Sequence, residues 1–245
     1  MPTDALLDRF FTALAPLAPV ALWAHGSLAG GDYQEGRSDL DLIAVLEGPV
    51  TLGTVRRVVT LHRALRIDPL AAKLHCSYVT PAGLDDAGRK HLTWAHDHVL
   101  RRPVTPVTRR ELHVFGRVLY GRPPAGLLPP VTDRELHDFV VRDQREFWRP
   151  SVDKARLWKQ DVWVDLGLVT FARASVTLRE GRLISKCEAL DLLPGLGAPA
   201  EVVEDIDRRR YGTPAPPSEP WTTRRAELTR NYLGPAIDAL VAAYG

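Results

Sequence analysis

The chain has 245 residues and a mass of 27.2 kDa, enough for one large domain or two modest ones with a core in each. Hydrophobic residues make up 45% and charged residues 25%, ordinary for a soluble globular protein, and a formal net charge of +2 is too small to argue for a nucleic-acid partner. Two distant cysteines, Cys76 and Cys187, point to a reducing compartment with free thiols, not to a disulfide framework or a thiolate metal site.

The N-terminal stretch MPTDALLDRFFTALAPL carries acids early and shows helical periodicity, which does not suit a signal peptide. Thr3 is expected to cap a helix whose stripe is Leu6, Leu7, Phe10, Phe11 and Leu14, closed by Pro16 and Pro19. No stretch reaches the eighteen apolar residues of a membrane span, so no membrane partner and a cytoplasmic home are expected.

The run Val20 to Ala24 predicts a strand that stops at His25-Gly26-Ser27. A second strand follows, with Leu40, Leu42, Ala44 and Leu46 on one face and Asp39 and Asp41 on the other, since side chains two apart in a strand point the same way. Neighbouring carboxylates repel, and a shared cation relieves this; hard oxygen ligands suit Mg²⁺. Gly26 lets the backbone approach an oxyanion closely, while Ser27 offers a hydroxyl donor.

An apolar position, Gly26-Ser27, eleven intervening residues, then Asp39-Leu40-Asp41-Leu42 resembles the signature of the nucleotidyltransferase superfamily, the polymerase-β-like fold. The resemblance implies Mg²⁺ held by Asp39 and Asp41, and the phosphates of a nucleoside triphosphate, ATP, held at Gly26 and Ser27. Ser38 is added as a nucleotide-binding candidate of the same stretch.

Leu52, Val55, Val58, Val59 and Leu61 suggest a helix to about Arg66, broken at Asp68-Pro69. Leu74 to Val79 is the third strand, with Lys73, His75 and Ser77 on one side and Leu74, Cys76 and Tyr78 on the other. In aminoglycoside-modifying members of the superfamily this strand carries a glutamate, and His75-Cys76-Ser77-Tyr78 places His75 at that position. Two readings stand: a neutral imidazole is a competent general base near neutral pH, or the position has lost its role and the chain binds without turnover.

Pro81 to Leu100 is polar and rich in histidine, with His91, His96 and His98 around Trp94. Trp94 is a candidate to stack on a substrate ring, against the alternative of a core tryptophan. Thr108 to Pro124 reads as a helix and then a short strand, Arg117 to Gly121; PPAGLLPP, residues 123–130, reads as a linker. Domains are therefore expected at 1–124 and 131–245, the second all helical.

Thr132 and Glu135 form a possible capping box. Pro150 is expected in a turn before a long helix, Val152 to Glu180, that carries Asp153, Asp161 and Asp165 and ends at Gly181. The segment VTFARASVTLREGRLISKCEAL resembles the C-terminal helical domain of streptomycin/spectinomycin-type adenylyltransferases. That resemblance implies a phosphate-contacting lysine at Lys186 and a nucleotide-contacting tyrosine at Tyr211. Asp161 and Asp165, four apart on one helix face, are candidate carboxylates for a cationic acceptor. After the Pro-rich GTPAPPSEP, a last helix is expected from about Thr222 to Tyr244.

The expectation is an α+β chain: an N-terminal nucleotidyltransferase fold with a mixed sheet, then a C-terminal helical bundle, with ATP and acceptor between them and the chain monomeric. The implied reaction moves AMP from ATP to a hydroxyl of a small-molecule acceptor such as an aminoglycoside-like antibiotic. A degenerate nucleotide- or ligand-binding relative and a protein AMPylase are the alternatives.

Overall fold

The computed structural model describes residues 2–214, 216 and 218–245; part of the Pro-rich stretch GTPAPPSEP lies outside the described residues. The chain divides into two compact units, Met1–Val131 and Thr132–Gly245.

The first unit begins with α1 (Pro2–Leu14), β1 (Pro19–Ala24), the four-residue α2 (Gly26–Ala29) and β2 (Leu40–Leu46). It continues through α3 (Leu52–Leu65), β3 (Leu74–Val79), β4 (Lys90–Ala95), β5 (His98–Pro103), α4 (Pro106–Val114) and β6 (Arg117–Gly121). The six strands form one sheet in the order β5-β4-β3-β2-β1-β6. Only β2 and β3 run parallel; their connection is the crossover through α3.

β2 is central and apolar on both faces because both are covered. Leu40, Leu42, Ala44 and Leu46 join Leu6, Phe10 and Leu14 of α1 and Val58, Leu61 and Leu65 of α3 in one core. Ile43 and Val45, on the opposite face, join Ala21, Trp23, Leu112 of α4 and Leu128 in a second. Leu128 is buried there, so part of the stretch read as a linker packs into the first unit.

Thr3 lies inside α1 and does not cap it: its hydroxyl donates to Glu35 Oε2 at 2.7 Å. The polar, histidine-rich stretch hides a hairpin of β4 and β5, turning at His96 and Asp97 with both residues in the left-handed region at φ 51° and 64°. Such a two-residue turn matches the strand twist; Asn-Gly is its common signal and His-Asp is not.

In the second unit α5 (Asp133–Asp143) starts on the Thr132–Glu135 capping box and runs into a π-helical turn, Gln144–Trp148, then α6 (Arg149–Val152). Pro150, placed in a turn by the sequence reading, lies within α6, where it has no N–H to give to the residue four back. The long helix starts later than expected: α7 is Asp161–Glu180, and Asp153 lies outside it. Trp158, inside the span expected to be helical, instead plugs the preceding bend fully buried and donates to Ser151 O at 2.8 Å. α8 (Lys186–Leu192), α9 (Ala200–Tyr211) and α10 (Glu219–Tyr244) complete the bundle around Leu168, Ala172, Leu193, Val202, Leu233 and Ile237. No helix of the described residues is long and apolar enough to cross a membrane.

Candidate active site

β1 delivers the chain to His25 and Gly26, and β2 delivers Asp41 beside them; the His25 N–H donates to the Asp41 carbonyl at 3.0 Å. Gly26 opens α2 with φ +60°, and a Cβ there would lie 2.7 Å from Asp41 Oδ2. Glycine is thus required by backbone conformation and by the space the carboxylate fills. Gly26 and Asp41 lie side by side, and the turn that follows β1 is a short helical one.

Asp39 and Asp41 flank Leu40 at the start of β2. Lys73 Nζ lies 3.7 Å from Asp39 Oδ1, and His75 Nδ1 lies 3.7 Å from Asp41 Oδ1 and 4.0 Å from Asp39 Oδ2. β3 places His75 directly opposite Asp41 in the parallel register. The other ring nitrogen of His75, Nε2, is buried without a hydrogen-bond partner. His96 packs edge-on against the His75 ring, and burial together with the His75 and Arg102 charges pushes its pKa below 6.5.

One partner of this site carries no local sequence signal. Glu111 of α4 is buried, lies 3.2 Å from His25 Nδ1, and accepts the Gly26 N–H at 3.3 Å. Burial opposes charge on His25, but the Glu111 hydrogen bond and the Asp41 and Glu111 carboxylates outweigh it and raise its pKa. The Gly26 N–H, in the turn that the motif implies for phosphates, is therefore engaged by Glu111. Glu111 sits in a basic helix, TRRELHV, and only its burial sets it apart from a solvated acid.

The remaining candidates already have partners within the protein. Ser38 is buried and its hydroxyl accepts the Gln34 N–H at 3.0 Å, so it shapes the loop that leads into Asp39. Trp94 is a core residue, stacked on His62 at 4.6 Å between ring centroids, and offers no face to a substrate. Asp161 pairs with Arg225 and Asp165 with Arg209, and Asp205 Oδ2 accepts from both arginines. Neither is the bare carboxylate that a cationic acceptor would need.

Within the second unit, Lys186 opens α8 just after Ser185, which caps that helix in a box with Glu188. Tyr211 ends α9, with the Arg210 guanidinium 5.2 Å from its ring centroid and Arg210 Nε donating to its hydroxyl at 2.8 Å.

Among the described residues no three His, Cys, Asp or Glu side chains group into a ready-made metal cage. Two carboxylates at the start of β2, with the Lys73 ammonium beside one of them, suit an ion that keeps waters and takes its remaining ligands from substrate phosphates, the habit of Mg²⁺.

No protein-family profile and no curated protein matches the chain. Among solved structures, the crystal structure of spectinomycin adenyltransferase AAD(9) from Enterococcus faecialis with ATP and spectinomycin is similar. The TM-score is 0.74 at 16% sequence identity, covering 96% of this chain and 99% of that one. The likeness is one of fold, over nearly the whole of both chains.

Proposed function

We propose that the chain is a Mg²⁺-dependent adenylyltransferase that moves AMP from ATP to a hydroxyl of a small molecule, with aminoglycoside-like antibiotics as the acceptor class to test first. One observation carries the reading: Asp41 packs into the space that Gly26 leaves open, with Asp39 beside it, on the nucleotidyltransferase fold. The similar enzyme was solved with ATP and spectinomycin, and this supports the nucleotide and the acceptor class.

Asp39 and Asp41 would hold the Mg²⁺ ion, which when bound supplies charge neutralisation and orientation for the phosphates. Ser27 lies in the turn assigned to the phosphates. Lys186 is proposed as a further phosphate cation and Tyr211 as a nucleotide contact, both supported by sequence pattern. The acceptor oxygen attacks the α-phosphorus, the bond from that phosphorus to the pyrophosphate oxygen breaks, and pyrophosphate leaves. His75 is the proposed acceptor of the hydroxyl proton, and the Asp39 and Asp41 carboxylates beside its Nδ1 would stabilise the imidazolium that forms.

Incubating the purified chain with α-labelled ATP, Mg²⁺ and a panel of aminoglycosides tests the proposal. Label on an acceptor, released with pyrophosphate, supports it; ATP bound but never turned over supports the alternative of a binding relative. One observation favours that alternative, an imidazole at the third-strand position where the resemblance implies a carboxylate.

A further inference from the structure

β2 and β3 enter the site side by side and parallel, and their register sets the first residues of one against those of the other. Leu40 pairs with Leu74 and Asp41 with His75, so the residues one step earlier, Asp39 and Lys73, also meet. Side chains two apart point the same way, which gathers Asp39, Asp41, Lys73 and His75 on one face. Each acid of the pair thus has a basic residue across from it: Lys73 Nζ is 3.7 Å from Asp39 Oδ1, and His75 Nδ1 is 3.7 Å from Asp41 Oδ1.

The two basic residues are not equally placed to move. The His75 ring is buried, whereas the Lys73 and Asp39 side chains are 38% and 39% exposed. At 3.7 Å the ammonium also lies beyond hydrogen-bond length from the carboxylate. An exposed pair of this kind is weak and gives way to a stronger partner. A divalent ion taken up by Asp39 and Asp41 repels an ammonium already beside Asp39, and the four-carbon stem of Lys73 lets that ammonium swing aside. The same stem ends in a point charge with three donors, which suits phosphate oxygens.

We infer that Lys73 serves the site in two positions: it covers Asp39 before metal binds, yields that carboxylate to the metal, and then donates to the phosphates of the nucleotide. The inference rests on the adenylyltransferase reading above and adds a phosphate-binding residue from the first unit. Lys73 therefore acts in opposite directions on the two ligands of the site, against the bare metal and in favour of the metal–nucleotide complex.

Calorimetry on the full chain tests this with two probes: Mn²⁺ alone, which favours the same oxygen ligands as Mg²⁺, and MgATP. Lys73→Met keeps an unbranched stem and removes the charge. It is expected to tighten Mn²⁺ binding by about two- to fivefold, the scale of an exposed ion pair, and to weaken MgATP binding by about tenfold or more, the scale of a charge-assisted hydrogen bond. Lys73→Arg keeps the charge and is expected to hold Mn²⁺ within about twofold of wild type, since the repulsion between the two cations remains. A merely structural role would move both affinities of Lys73→Met in the same direction. Weaker Mn²⁺ binding by Lys73→Met would show that Lys73 supports Asp39 and does not compete for it; unchanged MgATP binding would show that the ammonium does not reach the phosphates. Either result overturns the inference. A wild-type chain that does not bind MgATP sinks the adenylyltransferase reading and this inference with it, whereas a wild-type chain that binds MgATP no better than Lys73→Met sinks this inference alone.

Discussion

Gly26 and Asp41 interlock: the carboxylate of Asp41 occupies the volume in which any side chain on residue 26 would begin, with Oδ2 2.7 Å from the Cβ position. Gly26→Ala is therefore expected to displace Asp41 as well as strain the turn. The left-handed backbone alone costs an L-residue roughly 1–2 kcal/mol, and moving Asp41 should remove Mg²⁺-dependent ATP binding from a chain that still folds. Titration calorimetry with MgATP, alongside thermal denaturation, checks both effects; ATP binding equal to wild type would show that Asp41 does not belong to the nucleotide site.

Glu111 ties α4 to the same turn through His25 and the Gly26 N–H. Replacing it by leucine leaves those buried groups unanswered, so Glu111→Leu is expected to lose about 3 kcal/mol in urea unfolding at pH 6, while Glu111→Gln loses less. Because the folded pKa of His25 is raised, the pair's contribution is fully present below the unfolded imidazole pKa and fades as pH climbs through the raised value. Wild type should therefore approach Glu111→Leu in stability at alkaline pH, and a pH-independent gap between the two would contradict the pairing.

His62 behaves in the opposite sense. Burial against Trp94 and the Tyr78 hydroxyl, with the His75 charge secondary, lowers its pKa to about 3. The unfolded chain takes up a proton there that the folded chain refuses, so stability rises with pH between about 3 and 6.5 and is lost progressively as pH falls through that window. His62→Phe keeps a ring against Trp94 but leaves the Tyr78 hydroxyl without its partner. It is expected to cost about 1 kcal/mol at pH 7 and to shift the acid unfolding midpoint downward, as circular dichroism against pH would record.

In the second unit Gly167 of α7 makes room for Trp158, whose ring would lie 2.6 Å from a Cβ at residue 167. Gly167→Ala is expected to destabilise the bundle by about 1–3 kcal/mol, the range for overpacking, despite alanine's better helix propensity. Denaturation of Gly167→Ala and of Gly167→Ala with Trp158→Phe would show partial recovery in the double variant if the two residues conflict as the structure places them.

The central elements were legible because their signals are local and periodic. Leu40 to Leu46, Leu74 to Val79 and the Thr132 capping box announce themselves in a few residues each. Asp39, Asp41 and Gly26 were legible together because a fixed spacing ties them. What escaped depended on distance in sequence or on context. Glu111 lies 85 residues from Gly26, and no pattern around it reports its burial. The β4–β5 hairpin turns on His96-Asp97, a pair with no turn signature. Trp158 sits at a spacing that suits α7, yet it fills the bend between α6, which ends at Val152, and α7, which starts at Asp161. Trp94, Asp161 and Asp165 show the same limit: residue type suggested a ligand contact, whereas His62, Arg225 and Arg209 had already engaged them.

The most direct measurement is Mg²⁺-dependent transfer of labelled AMP from ATP to acceptor by wild type and by Asp39→Asn, each first shown to unfold at the same temperature. Asp39 is partly exposed and sits just before the strand, so the substitution should leave the fold intact. Removing one of two metal-binding carboxylates is expected to lower the transfer rate by about a hundredfold or more. Transfer by Asp39→Asn at the wild-type rate would contradict the assignment of this pair to the reaction.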